Sequence, residues 1–221
     1  MSDVQSLEQV ARPFETTSTP RSRASALRPV EADVHPLFVD RWSPRAFGNE
    51  SVAPETLRAL FEAARWAPSS ANEQPWLFVY ADTPEGRAQL LPAILPMNRT
   101  WAERAPVLVF LFARKKFAQP GPYQGLPNPT ALFDAGAAWM SLASQAHLVG
   151  LSTHAMGGID RNEAFRLLGV SPEEYDSVIA IAIGHRADPS TLPEPLASRE
   201  VPSSRRPLAE IVVKGPIVPA A

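Results

Sequence analysis

The sequence predicts an α+β or α/β domain, with helices laid against a small sheet. Three observations carry this. Two continuous apolar runs, VLVFLF at 107–112 and VIAIAIG at 178–184, have the length of strands covered on both faces. Between them lies TALFDAGAAWMSLASQAHLVG, a helical stretch that is apolar almost all round and therefore buried. Strands alternating with helices, one of them this apolar, call for a sheet with helices packed on it. The 221 residues suffice for one such core.

Each element follows from local chemistry. Residues 1–34 are polar, with TTSTPRSR in their middle, and read as an arm that is mobile or draped on a partner. The domain proper is expected over 35–213, leaving 214–221 as a C-terminal tail. APETLRALFEAARWAP is helical: Leu57, Leu60, Phe61 and Ala64 recur on one face. Pro54 suits its first turn, and Pro68 stops it by pushing Ala67 out of the helical region. WLFVY at 76–80 is strand-like. TPEGRAQLLPAIL is a broken helical piece, and VLVFLF follows as a central strand.

AQPGPYQGLPNPT at 118–130 is too rich in Pro and Gly for helix or strand, and such a long loop is often a lid or binding loop. The long apolar helix comes next, closed by Gly150. Its small residues, between 135 and 146, suit close approach by another helix. LSTHAMGGID starts as a strand and breaks at Gly157 and Gly158. RNEAFRLLGV and SPEEYDSV read as short helices, the second with Ser171 as its N-cap and Glu174 as the capping-box partner. VIAIAIG is the second buried strand, and ADPSTLPEPLASREVPSSRRP an extended C-terminal run.

Bulk properties exclude several functions. A net charge of -2 creates no field favouring nucleic acid or an anionic membrane. The absence of Cys excludes disulfides, thiolate metal sites, iron–sulfur clusters and Cys nucleophiles. No apolar run approaches the roughly 18 residues of a membrane span. The first residues lack a basic and then apolar leader, so a cytoplasmic protein is expected.

The chemistry-bearing motifs are narrow. Phosphate loops of the GxGxxG or GxxxxGKS type are missing, as is a GxSxG elbow. His35, His147, His154 and His185 have no metal spacing and read as structural, so no metal site is expected. Hydrolytic machinery is not visible, and an enzyme built this way would take its reactivity from a bound cofactor.

Two polar stretches remain. In RWSPRAF at 41–47, Arg41, Ser43 and Arg45 would share one side if the piece is extended. Two guanidinium groups and a hydroxyl suit a phosphate or another planar anion. The plain alternative is a solvated turn, which the heptapeptide taken alone favours. In APSSANEQPW at 67–76, small polar side chains either bond the loop's own backbone or present hydroxyls and amides to a heteroaromatic ligand.

Taken in order, these stretches resemble the FMN-dependent nitroreductase family. RWSPRAF is similar to its R-x-S-x-R/K-x-F segment. EAARWAPSSANEQPWLFVY is similar to its helix, Pro-Ser-Ser-x-Asn-x-Gln-Pro-Trp loop and strand. MNRTWAERAPVLVFLF resembles its Asn, Trp and Ala-Pro lead into a central strand. DAGAAWMSLASQAHLVGLSTHAMGG resembles its dimer helix and Gly turn, and SRRPLAEIV its Arg-x-Pro-Leu-x-x-x-Val. The match covers roughly residues 36–213 and looks closest to the flavin reductases linked to thiophene desulfurisation.

The resemblance implies a three-layer α+β fold with a mostly antiparallel central sheet and an intertwined homodimer with shared active sites. It implies an NAD(P)H:acceptor oxidoreductase with bound FMN, NADH or NADPH as transient donor, and ping-pong hydride transfer through flavin N5 to a small nitroaromatic, quinone or flavin acceptor. Arg41 and Ser43 would hold the FMN phosphate, joined by Arg205 or Arg206. Arg45 would sit beside N1 and O2 of the ring. Pro68, Ser69, Ser70 and Asn72 would come from the other subunit. Asn98 would meet the pyrimidine edge, and the backbone at Gly157 and Gly158 would approach N5 and O4.

No side chain is implied as a catalytic acid or base. Phe117, Tyr123 and His154 are further candidates for facing the ring. A non-catalytic FMN-binding or storage protein, or a flavin enzyme of this fold performing dehalogenation or dehydrogenation, is the alternative.

Overall fold

The computed structural model describes residues 24–215. Residues 1–23 of the expected arm and 216–221 of the expected tail lie outside the described residues. In chain order the elements are α1 (Pro36–Asp40), α2 (Pro54–Arg65), β1 (Trp76–Ala81), α3 (Pro84–Leu90), α4 (Pro96–Ala102), β2 (Val107–Arg114), α5 (Ala131–Leu148), β3 (Ser152–Met156), α6 (Arg161–Leu168), β4 (Tyr175–Gly184) and α7 (Glu194–Ala197). Many of the 24 prolines stand at helix starts. There the ring pre-sets φ and the lost N–H would have had no partner.

The sheet runs β1-β2-β4-β3 and every neighbouring pair is antiparallel. The two apolar runs read from the sequence are its interior strands. Side chains alternate across β2, and both sets are covered. Leu108, Phe110 and Phe112 join the core beneath α3, α4 and α6. Val107, Val109, Leu111 and Ala113 join the core beneath α2 and α5. This gives an α+β fold in three layers, helix on sheet on helix. β2, α5 and β3 form a split β-α-β unit with β4 inserted between the strands.

The expectation for 171–178 changes. SPEEYDSV is not a helix. The Glu174 and Tyr175 N–H groups donate to the Ser171 carbonyl, which closes one turn, and β4 begins at once at Tyr175. Tertiary pairing with β2 overrides the capping-box signal there. Val178 is left over at a bulge, because Leu111 faces Ile179 while Phe112 faces Ser177. In α5, most of the small residues serve this chain's own layers. Ala131, Ala135, Ala138 and Ala146 lie in the core with α2 and the sheet. The outer stripe carries the exposed Leu132, Phe133 and Gly136 instead.

Gly150 ends α5 as expected, with φ +79°. The Leu151 N–H donates to the Ala146 carbonyl and the Gly150 N–H to the His147 carbonyl, which together form a Schellman cap.

Candidate functional site

The strip at 41–47 is held on both sides. Arg41 is the C-cap of α1, and its N–H donates to the Leu37 carbonyl. Residues 46–48 run antiparallel to 185–187, with the Ala187 N–H on the Ala46 carbonyl and the Gly48 N–H on the His185 carbonyl. Phe47 is buried against Trp101 at 6.3 Å between ring centroids, and so anchors the strip in the core. Trp101 in turn lies 4.5 Å from the His154 ring. His154 Nδ1 is 3.0 Å from the Pro44 carbonyl, so Nδ1 carries the proton and donates. Burial, first, pushes the His154 pKa down to about 4, and the nearby Arg45 adds to this. His154 is a neutral structural donor, not a charged one.

Arginines gather at the start of the strip. Arg28 donates to the carbonyls of Val39 and Arg41 and, through Nε, to that of Ser203. Arg205 donates to Ser203 and Ser204 and, with Arg28, lines a cavity of about 120 Å³. Burial and then the charge of Arg205 hold the Arg41 guanidinium below its usual pKa. Arg28 is lowered first by burial, then by Arg205 and Arg41. Arg41 Nε is buried with no hydrogen-bond partner. Positive charges that disfavour one another around an unsatisfied donor suit a multiply charged anion such as a phosphate. Of the two candidates in the C-terminal segment, Arg205 is the one drawn into this cluster. Arg206 is exposed.

Asn98, Gly157 and Gly158 also converge. Asn98 Nδ2 donates to the Gly158 carbonyl at 3.3 Å, and a Cβ on Gly158 would lie 2.5 Å from that nitrogen. Any larger residue there would have to displace the Asn98 amide. A Cβ on Gly157 would meet nothing within 4 Å, so that face of the backbone is open to a ligand. The glycine pair follows His154 at the end of β3, and His154 grips Pro44. The turn therefore continues the strand that grips the peptide before Arg45.

The serine loop lies elsewhere. Ala71, Asn72 and Gln74 have φ of 53°, 54° and 52°, which L-residues rarely adopt. Two buried carboxylates pin this strained stretch. Asp134, near the start of α5, accepts from the Ser70 N–H and the Thr130 hydroxyl. Glu73 accepts from the N–H groups of Ala118 and Gln119, tying the 118–130 loop to the serine loop. Ser69 Oγ accepts from the Gln74 N–H. Ser70, Asn72 and Pro68 are exposed.

His147, at the other end of α5, is close enough to Asp40 and Arg41 to feel their charges. At 1.5 Å per residue, Asp134 and His147 are about 20 Å apart along the helix. Within one chain, then, the serine loop and the arginine cluster occupy opposite ends of α5.

Phe117 is buried and lies 5.5 Å from the Tyr123 ring, so it packs the 118–130 loop. Sequence reasoning passed over Arg28, Glu73, Asp134 and Glu200. A lone acid in an apolar helix was a readable sign for Asp134. Nothing in the sequence around Arg28 or Glu200 marks them. Among the described residues, no group of His, Asp and Glu could hold a metal ion, and no helix is long and apolar enough to cross a membrane.

The family model described as "Nitroreductase family" matches residues 39–185. A Streptomyces coelicolor protein named, provisionally, an NADH dehydrogenase/NAD(P)H nitroreductase is 30% identical over 69% of this chain and 83% of its own length. A solved structure described as an oxidoreductase containing FMN superposes with a TM-score of 0.80 at 42% identity, covering 86% of this chain and 96% of that one. A provisionally named nitroreductase from Desulfovibrio desulfuricans, solved with FMN, gives 0.64 at 28% identity, covering 82% and 96%.

Proposed function

The chain belongs to the nitroreductase family, and from that premise we propose that it is an FMN-dependent NAD(P)H oxidoreductase acting on small nitroaromatic, quinone or flavin acceptors. One observation carries the cofactor assignment: a cluster of mutually repelling arginines around the buried, unpartnered Arg41 Nε. The FMN-containing structures to which the chain is similar support the same reading. Bound there, FMN would supply hydride uptake from a nicotinamide and hydride delivery to the acceptor.

The chain's own residues would bind and orient. Arg41 and Ser43, with Arg205 and not Arg206, would take the phosphate. Arg45, further along the same strip, would meet the pyrimidine edge of the ring. A cation at that edge favours a ring that gains negative charge on reduction, by at most about 4 kcal/mol at an effective dielectric near 20. Asn98 would face the same edge, and the backbone at Gly157 and Gly158, open at Gly157, would approach the ring. His154 stays neutral and spends its Nδ1 proton on Pro44, so no acid–base role falls to it.

The working unit would be a homodimer with domain limits near 35 and 213. An uncovered stripe with Leu132, Phe133 and Gly136 on α5 suits an isologous contact. Two α5 helices crossing in opposite directions would bring the serine loop of one subunit, with Pro68, Ser69, Ser70 and Asn72, to the arginine cluster of the other.

The test is a visible spectrum of the purified protein followed by anaerobic titration. A yellow protein should bleach with NADH or NADPH and recover its colour on adding a quinone or nitroaromatic. Failure of both nucleotides to bleach an FMN-loaded protein would sink the oxidoreductase reading and leave FMN storage. Arg45→Ala should lower the cofactor's midpoint potential, whereas Arg41→Ala should mainly weaken FMN retention.

A further inference from the structure

Glu200 lies beyond the matched family region, in the C-terminal segment after α7. It is 6% exposed, an unusual position for an acid. Its Oε1 accepts from the Arg45 N–H at 2.5 Å and from the Ala46 N–H at 2.8 Å. Its Oε2 is buried without a hydrogen bond and lies 3.9 Å from the Arg45 guanidinium. On the other side of the same peptide, the Pro44 carbonyl accepts from His154. The backbone from 44 to 46 is therefore gripped from both sides, by β3 and by the C-terminal segment. Burying a carboxylate is costly unless the charge is used. Here one oxygen fixes where the Arg45 side chain starts, and the other offsets part of its charge.

We propose that Glu200 is the positioning residue for Arg45: it aims the guanidinium at the cofactor ring and sets how much of its positive charge the ring feels. The inference rests on the FMN reading above. It assigns the C-terminal segment a part in redox tuning besides its arginine at the phosphate end.

Two substitutions separate the roles. Glu200→Gln keeps an oxygen for both N–H groups and removes the charge. Glu200→Ala removes both. The wild type and both variants are compared by amide hydrogen exchange over 41–48, by FMN Kd from fluorescence, and by midpoint potential. In E200Q, exchange should stay near wild type, Kd should stay within about threefold, and the potential should rise, because Arg45 is no longer offset. In E200A, the Arg45 and Ala46 amides should exchange faster, Kd should rise about tenfold, which is the loss of one modest interaction, and the potential should fall.

A purely structural Glu200 would not move the potential in opposite directions. Variants that match wild type in exchange and potential, or that both shift the potential the same way, overturn the proposal. A wild type that takes up no FMN overturns the cofactor reading itself, and this inference with it.

Discussion

The two ends of α5 solve the problem of holding a ligand by different means. At the His147 end, Arg28, Arg41 and Arg205 supply charge on side chains, above a backbone kept in ordinary conformations. At the Asp134 end, the polar side chains are small, and the unusual feature is the backbone, with three L-residues at positive φ. The buried acids differ accordingly. Glu200 accepts from two backbone N–H groups and also faces a cation, whereas Asp134 and Glu73 accept from neutral N–H and O–H groups. One end is a charge site that must resist its own repulsion. The other is a shape site that must resist relaxing out of strain.

The largest expected difference between the ends is in acid. The folded arginine end keeps His154 neutral, with a pKa of about 4, while the unfolded chain takes that proton near 6.5. Protonation therefore favours unfolding. Its contribution is fully present above about pH 6.5 and is lost as pH falls toward 4, by about 3 kcal/mol in all. Chemical denaturation between pH 7 and 4 should show this slope, and His154→Gln should flatten it. An unchanged slope in that variant would move the acid sensitivity away from this end.

Arg41→Ala comes next. It should weaken FMN binding by about 1.5–3 kcal/mol, the worth of a hydrogen bond to a charged group, with little change in Tm because it relieves repulsion. A fall in Tm as large as the loss of affinity would mean that the arginine is structural and the contrast false.

Asp134→Ala tests the shape end. The Ser70 N–H loses its acceptor, which should cost about 1–3 kcal/mol of stability, while the Thr130 hydroxyl keeps Asn128 Oδ1 at 2.9 Å. Glu73→Ala should instead make the 118–130 loop quick to cleave by protease, since the Ala118 and Gln119 N–H groups are released. Cleavage at the wild-type rate would show that the loop is held by Phe117 packing alone.

The smallest effect is a gain. Ala71 sits at φ 53°, and Ala71→Gly should stabilise the protein by about 1 kcal/mol or less, read as a rise in Tm. No rise would mean that the strain is not borne at this residue.

Much was legible before the fold was known. Apolar runs marked β2 and the second half of β4, because the stretch of a strand that is covered on both faces is almost wholly apolar. The period of 3.6 determined the buried face of α2, and Gly150 the end of α5, since both are local matters of backbone geometry. Motif order also carried the family. SPEEYDSV misled, because pairing with β2 outweighs a three-residue capping signal.

What only the tertiary structure decided involves residues far apart in the chain. That Arg28 joins Arg41 and Arg205, that Asp134 holds Ser70, and that Glu200 grips Arg45 are contacts across long stretches of sequence. No period or spacing encodes them. They exist because the sheet and α5 set the distances, and a buried charge or N–H must find its partner wherever packing has put one.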